Sequence, residues 1–149
     1  MTLIQEVETK NVHGADLPWV PFAPYSDEVF LKYFRIDPVR GEILVSMRFP
    51  PGLELPKHYH TGIVIGHTIR GAWRYLEHDW VATEGSFVYE PPGEIHTLVV
   101  DEQVGATEMI TFFNIHGAMV YVDDAGHTTG YEDVFSKIAA QLGDLRVSK

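Results

Sequence analysis

The sequence contains no cysteine. That excludes disulfides, thiolate metal sites, iron–sulfur ligation and a cysteine nucleophile together, so any metal must be held by nitrogen or oxygen. Basic side chains are also scarce. Eleven Lys and Arg against 21 Asp and Glu leave a formal net charge of −10, a field that repels phosphate backbones and anionic lipid headgroups. Nucleic acid and membrane surfaces are therefore not expected partners. No apolar run approaches the ~20 residues that span a bilayer, and the opening MTLIQEVETK has no basic segment followed by an apolar stretch. A cytoplasmic location is the expectation. With 45% hydrophobic and only 21% charged residues, the chain is too apolar for disorder. Its 149 residues are read as one domain over 1–149.

What is present is a succession of short β-branched and aromatic runs: VFLKYFRI, GEILVSMRF, GIVIGHTI, AWRYLEH, SFVYE, HTLVV, EMITFFNI and AMVYV. Gly41, Pro50-Pro51-Gly52, Gly71, Gly85, Pro91-Pro92-Gly93, Gly105 and Gly117 punctuate them, the rhythm of an antiparallel sandwich or barrel. Nothing between Val12 and Val122 reads as helix. Ahead of the strands, Pro18, Pro21 and Pro24 remove backbone donors and predict an extended arm over Val12–Pro24. Its Leu17, Trp19, Val20 and Phe22 need a surface to cover, either their own barrel or a neighbouring subunit. At the other end, YEDVFSKIAAQLG changes period, with Val134, Phe135, Ile138 and Leu142 on one predicted helical stripe. Glu132 and Asp133 suit its positive end and Gly143 its close.

The eight histidines divide by context. His13, His116 and His127 sit beside glycine or in polar turns, and His78 reads as a turn residue. In KHYHTG, a strand's period of two places His58 and His60 on one face with Tyr59 on the other. Two imidazoles on one face are a metal-ligand pattern, and equally a pair of surface residues on a half-exposed strand.

The wider pattern resembles the cupin superfamily. Gly52, five residues, His58-x-His60 and Gly71 match its first motif; Gly85, five residues, Pro91-x-Gly93, two residues and His96 match its second. The resemblance implies an all-β cupin jelly-roll barrel, here with the extended N-terminal arm and one C-terminal helix, opening at one end around a divalent ion. It also implies His58, His60 and His96 as the metal ligands. Two positions depart from the pattern. Val64 stands where the first motif usually carries a ligating glutamate, and Val100 replaces the final asparagine of the second. The implied site is a three-histidine face without a ligating carboxylate, which leaves the ion its full charge to attract an anionic chelate. A two-histidine, one-carboxylate face would instead suit oxygen activation with a keto-acid cosubstrate.

Within the cupins, the run from HYHTG to HTLVV and the tail FFNIHGAMVYVDDAGHTTGYEDVF are similar to small dioxygenases of the 2,4'-dihydroxyacetophenone type and, more distantly, to acetylacetone dioxygenase. This implies a non-haem Fe(II) enzyme that uses O2 to cleave a carbon–carbon bond beside the carbonyl of a β-diketone or hydroxyacetophenone-type ketone. Zinc, nickel and manganese are the alternative ions. Glu90 stands where acetylacetone dioxygenase carries a carboxylate near its metal, and strand parity turns Glu90 inward and Tyr89 outward. Glu90 is assigned to orient a ligand or water, or to accept the substrate proton. Glu94 is read as a solvated turn residue.

Leu55, Trp73, Tyr75, Ile110 and Phe112 are the candidate substrate-binding wall, as residues alternating toward the barrel mouth. Arg70 and His67 are read as outer-face residues. Subunit association as a homodimer or homotetramer is expected, because a lone arm would leave Trp19 and Phe22 wet. Two other classes remain open. One is a cupin isomerase or lyase using the ion only as Lewis acid; the other is a non-catalytic ligand or metal sensor, like the cupin module of some anti-sigma factors. The absence of a helical sigma-binding domain in these 149 residues weighs against the sensor.

Overall fold

In the computed structural model, residues 9–23, 25–100, 102 and 107–147 are described, those of 141–147 by backbone alone. The opening MTLIQEVE, Pro24, Gly105 and the Leu142 side chain, all used in the sequence reading, lie outside the described residues.

The β-branched runs form strands at the expected places. They are β1 (Val20–Pro21), β2 (Phe30–Asp37), β3 (Glu42–Phe49), β4 (His58–His60), β5 (Val64–Arg70), β6 (Trp73–Tyr75), β7 (Phe87–Glu90), β8 (Leu98–Val100), β9 (Met109–His116), β10 (Met119–Val122) and β11 (Thr128–Glu132), followed by α1 (Val134–Val147). One sheet has the order β1-β2-β3-β9-β5-β7. Facing it, β11-β10-β4 and the pair β6-β8 are joined through antiparallel bridges between His58 and His96 and between Glu54 and Val99. Sequence neighbours cross between the two layers, which makes a jelly-roll barrel. Alternation fills its interior: Ile43, Val45, Met47 and Phe49 point inward from β3, and Met109 and Phe113 from β9.

Two glycines show why the punctuation matters. Gly71 adopts φ +76°, and a Cβ there would lie 2.7 Å from the Glu108 carbonyl oxygen, so only glycine fits where the chain leaves β5. Gly93 adopts φ +83°, and its N–H donates to the His60 carbonyl at 2.8 Å. That bond ties the proline-rich turn directly to β4.

Several expectations about the termini are corrected. The arm is not wholly extended, since Gly14–Asp16 form one 3-10 turn capped by the His13 side chain. Nor is Phe22 left wet in the single chain, where the arm packs on its own barrel, one of the two surfaces expected for it. Val20 and Pro21 pair with Leu31 and Phe30 of β2, Phe22 is only 2% exposed inside its own core, and Trp19 lies between the cations of Lys32 (4.7 Å) and Arg48 (4.8 Å). Pro21 is tolerated because β1 is an edge strand. At the C-terminus, Tyr131 and Glu132 belong to β11 rather than to a helix start. The helix begins after Asp133, whose carboxylate accepts from the Ser136 N–H while Ser136 Oγ accepts from the Asp133 N–H, 2.9 Å each, a reciprocal capping box. Val134 and Ile138 are buried as expected, but Phe135 is 65% exposed, and α1 runs through Gly143 to Val147. Among the described residues no helix is long and apolar enough to cross a membrane.

Candidate metal centre

The backbone brings the histidines together before any side chain does. The His58 N–H donates to the His96 carbonyl at 3.0 Å and the His96 N–H returns to His58 at 2.9 Å. His60 follows on the same face of β4, two residues on. The three rings are buried, with centroids 4.8 Å (His58 to His96), 5.3 Å (His58 to His60) and 6.0 Å (His60 to His96) apart. One ligand atom from each lies within 4.8 Å of the others. Among the described residues this is the group of histidines and acids able to hold an ion.

Two of the rings, His58 and His96, are held by neighbours outside the cluster. His58 Nδ1 lies 2.8 Å from the Pro56 carbonyl oxygen. A carbonyl can only accept, so Nδ1 carries the proton and the Nε2 lone pair is left free. Tyr75 stacks on His96 at 3.8 Å and 10°, and Tyr121, across from His58 on β10, meets that ring edge-on at 6.1 Å.

Glu90 stands beside this cluster. It pairs across β5 with Val64, points inward as parity predicts and is 3% exposed, whereas Tyr89 is largely exposed. Its carboxyl oxygens lie 3.9 Å from His60 Nε2 and 3.6 Å from His96 Nε2. Burial pushes its pKa up to about 8. Burial likewise drives His58 below its ordinary value, His60 down to about 3 and His96 down to about 2, with neighbouring imidazoles adding to the last two. Near neutrality, neutral imidazoles therefore face a protonated acid, and the contact is not an ion pair. Glu90 thus lies beside two of the three rings, and the group able to hold an ion comprises the three histidines without it.

Both Glu90 oxygens, His60 Nδ1 and His96 Nε2 are buried without a hydrogen-bond partner. Each such group costs about 1–3 kcal/mol if left unmade. A divalent cation satisfies imidazole lone pairs directly and offers the carboxylate a charge, so the residues present fit a metal. Imidazole accepts iron, zinc, nickel and copper alike.

The metal-free protein should be most stable near pH 6.5. His60 and His96, with pKa values depressed from 6.5, contribute stability that is present above pH 6.5 and lost as pH falls toward their folded values. Glu90, raised from 4.5 to about 8, contributes stability that is complete below pH 4.5 and lost as pH rises through about 8. Between pH 4.5 and 6.5 the two depressed histidines outweigh one acid. Thermal unfolding of chelator-treated protein across this range tests it, and Glu90→Gln should abolish the decline above pH 6.5.

The expected wall residues divide. Leu55, Trp73 and Tyr75 are buried in the core; Trp73 donates from Nε1 to Thr68 Oγ1 at 2.8 Å, and Tyr75 reaches the site through His96. Ile110 and Phe112 are corrected, because β9 turns Met109, Thr111 and Phe113 inward and leaves them half-buried on the opposite face, where Phe112 meets Phe34 at 6.0 Å. The adjacent Phe112 and Phe113 allow either parity, and hydrophobicity alone does not choose between them. Of the remaining polar residues, His67 stacks on Phe87 and Arg70 pairs with Glu108 at 3.5 Å, both on the outer face. His116 pairs with Glu42 and His127 with Asp123. His78 hydrogen-bonds Glu94, so Glu94 is partnered rather than simply solvated.

Sequence reasoning missed the residues around the open space. An apolar cavity of about 50 Å³ is lined by Ile43, Val45, Met47, Ile115 and Met119, among others. Met119 pairs with His60, and Ile115 pairs with Val64, the partner of Glu90. These residues are indistinguishable from ordinary barrel core in sequence.

Comparison with known proteins agrees with this architecture. An RmlC-like cupin protein from Ralstonia eutropha JMP134 is 42% identical, with a TM-score of 0.88 over 95% of this chain and 89% of its own. A second protein from that organism, of unknown function with a cupin-like fold, is 25% identical, with a TM-score of 0.84 over 97% of this chain and 90% of its own. Acetylacetone dioxygenase from Acinetobacter johnsonii, 17% identical, shares the fold with a TM-score of 0.77 over 96% of each chain. No curated protein matches. The ChrR cupin-like domain matches residues 7–120, most of the barrel and all three clustered histidines, and the chain belongs to that family of cupins.

Proposed function

We propose that the chain is a non-haem Fe(II) dioxygenase that cleaves a carbon–carbon bond next to the carbonyl of a β-diketone or hydroxyacetophenone-type ketone, its partners being that ketone and O2. The observation that carries this reading is the buried Glu90 carboxyl held 3.6–3.9 Å from two of three converging imidazoles. A carboxyl so placed, with no other hydrogen-bond partner, is free to take a proton from a molecule bound at the ion. Likeness to acetylacetone dioxygenases in fold is consistent with it.

His58, His60 and His96 would hold the ion, which supplies the positive charge that favours an enolate over its ketone and, as iron(II), the electrons that let dioxygen react. Glu90 takes the proton from the carbon between or beside the oxygens. Its own hydrogen-bonding capacity is otherwise unused. Leu55, Trp73 and Tyr75 form the dry backing of the site, with Tyr75 fixing the His96 ring. In the overall change one carbon–carbon bond breaks and both oxygen atoms enter products. A β-diketone gives a carboxylic acid and an α-ketoaldehyde, and an α-hydroxyketone gives two carboxylic acids.

The test is anaerobic reconstitution with Fe(II), then an oxygen electrode and a panel of β-diketones and hydroxyacetophenones. One O2 consumed per ketone is expected. Conversion without oxygen uptake would replace this reading by Lewis-acid isomerase or lyase chemistry with zinc, nickel or manganese; tight metal binding with no turnover would replace it by a sensor.

We also infer a cytoplasmic homodimer or homotetramer, though not through the arm. The outer face of β5 and the edge strand β7 exposes Ile65, Phe87 (72%) and Tyr89, an apolar cluster of the kind a second copy covers. Light scattering should find a dimer or larger, and Phe87→Lys should dissociate it; a monomeric wild type refutes the inference.

A further inference from the structure

One phenol sits against the histidine cluster from β10. Tyr121 pairs with His58 across β10 and β4, and the two rings meet edge-on with centroids 6.1 Å apart. Tyr121 is buried. Tyr25, which follows the arm, stacks on it at 4.6 Å and 28°, and Tyr25 is exposed. A candidate metal ligand, a buried phenol and a surface phenol therefore stand ring to ring in succession.

Tyr121 also has a place to put its proton. Its hydroxyl donates to Glu132 Oε2 at 3.0 Å, within the reach that direct proton transfer needs, and the other oxygen of that buried carboxylate accepts from Lys137 of α1. A phenol that loses an electron becomes a strong acid, so a base already hydrogen-bonded to it makes the loss easier. Electron transfer weakens exponentially with distance. Rings placed in succession therefore carry a charge outward that one long jump from a buried centre would not.

We propose that Tyr121 and Tyr25 are a redox-active pair that carries an oxidising equivalent from an iron ion on His58, His60 and His96 to the protein surface, with Glu132 as the proton acceptor. The proposal rests on the reading of the three histidines as iron ligands and not on the ketone chemistry. The oxidant is a peroxide that reaches the ion when no ketone is bound. Hydrogen peroxide takes two electrons and two solvent protons and leaves as two waters. Iron(II) gives one electron and becomes iron(III); Tyr121 gives the other, and its phenolic proton passes to Glu132 Oε2. An electron from Tyr25 then restores Tyr121, which takes its proton back from Glu132, while the Tyr25 proton goes to water. The radical ends on an exposed ring, where a solvent reductant can quench it, and the buried imidazoles are spared.

Iron(II)-loaded, ketone-free protein treated with hydrogen peroxide under nitrogen tests the proposal without turnover. Freeze-quenched samples should show a tyrosyl radical by electron paramagnetic resonance. Without a reductant, Tyr25 radicals of two molecules should then couple through a new carbon–carbon bond, giving dityrosine that fluoresces and maps to the Tyr25 peptide. Tyr25→Phe should keep the radical and lose the dityrosine. Tyr121→Phe, which keeps the ring and removes the hydroxyl, should bind the same iron and lose both signals down to the level of metal-free protein. Tyr131→Phe, which removes another exposed phenol, should change neither. An unchanged radical in Tyr121→Phe would overturn the proposal, as would equal dityrosine in metal-free protein or a tryptophan radical reached through Tyr75 and Trp80. Should Tyr121→Phe not fold, Tyr25→Phe decides, and an undiminished dityrosine yield there refutes the pair. A tyrosyl radical in a protein that consumes no oxygen with any ketone ends the dioxygenase reading and leaves the pair standing; oxygen uptake with a ketone but no tyrosyl signal in its absence is the reverse. A protein that holds no iron ends both.

Discussion

Replacing His96 by alanine is expected to abolish stoichiometric metal binding, with affinity falling by more than the roughly 10–100-fold typical of losing an outer hydrogen-bond partner of a ligand. His96 is the most buried of the three, 1% exposed, and joins two structural units: its backbone bridges to His58 and its ring carries Tyr75. His58→Ala and His60→Ala should lose metal as well, because two imidazoles alone do not surround an ion. Metal content per protomer after identical loading and desalting is the measurement. Because His96→Ala also opens space beneath Tyr75, His96→Gln serves as the better-filled control and should show the same loss. Unchanged metal in all three alanine variants would remove the centre, and with it every chemical argument built upon it.

Glu90→Gln is expected to lower kcat by about 10²–10⁴, the usual contribution of a positioned general base, while metal content stays near wild type. The amide keeps the size of the acid and its place opposite Val64 but cannot take a proton. A merely structural Glu90 predicts otherwise: the buried acid is disfavoured by its surroundings, so the amide would stabilise the protein and leave turnover intact. Full activity in Glu90→Gln ends its assignment as base. The pH dependence of kcat gives a second readout, since the wild-type limb that reports deprotonation of the base should vanish with the carboxyl.

Much of the site is legible from local rules. His58 and His60 share a face because a strand repeats every two residues, and the same alternation sends Glu90 inward and Tyr89 outward. Gly71 and Gly93 mark places where the backbone must adopt positive φ. The failures are equally local in origin. Phe112 and Phe113 are both apolar, so the direction of β9 was undetermined by pattern and is set by which residue meets Val45 across the ladder. Tyr131 and Glu132 resemble the start of a helix, yet they pair with β10, and tertiary hydrogen bonding outweighs a weak propensity.

The all-β layout, the shared face of His58 and His60 and the inward acid were already determined by the sequence, because each depends on spacing along one strand or turn, while the resemblance to cupins implied that His96 joins them. Only the folded chain decided that the arm buries Phe22 in its own barrel, that His96 bridges to His58, and that Glu132 of β11 meets Lys137 of α1. Those features depend on elements distant in sequence packing at one place, and long-range packing leaves no periodic trace in the residues that take part.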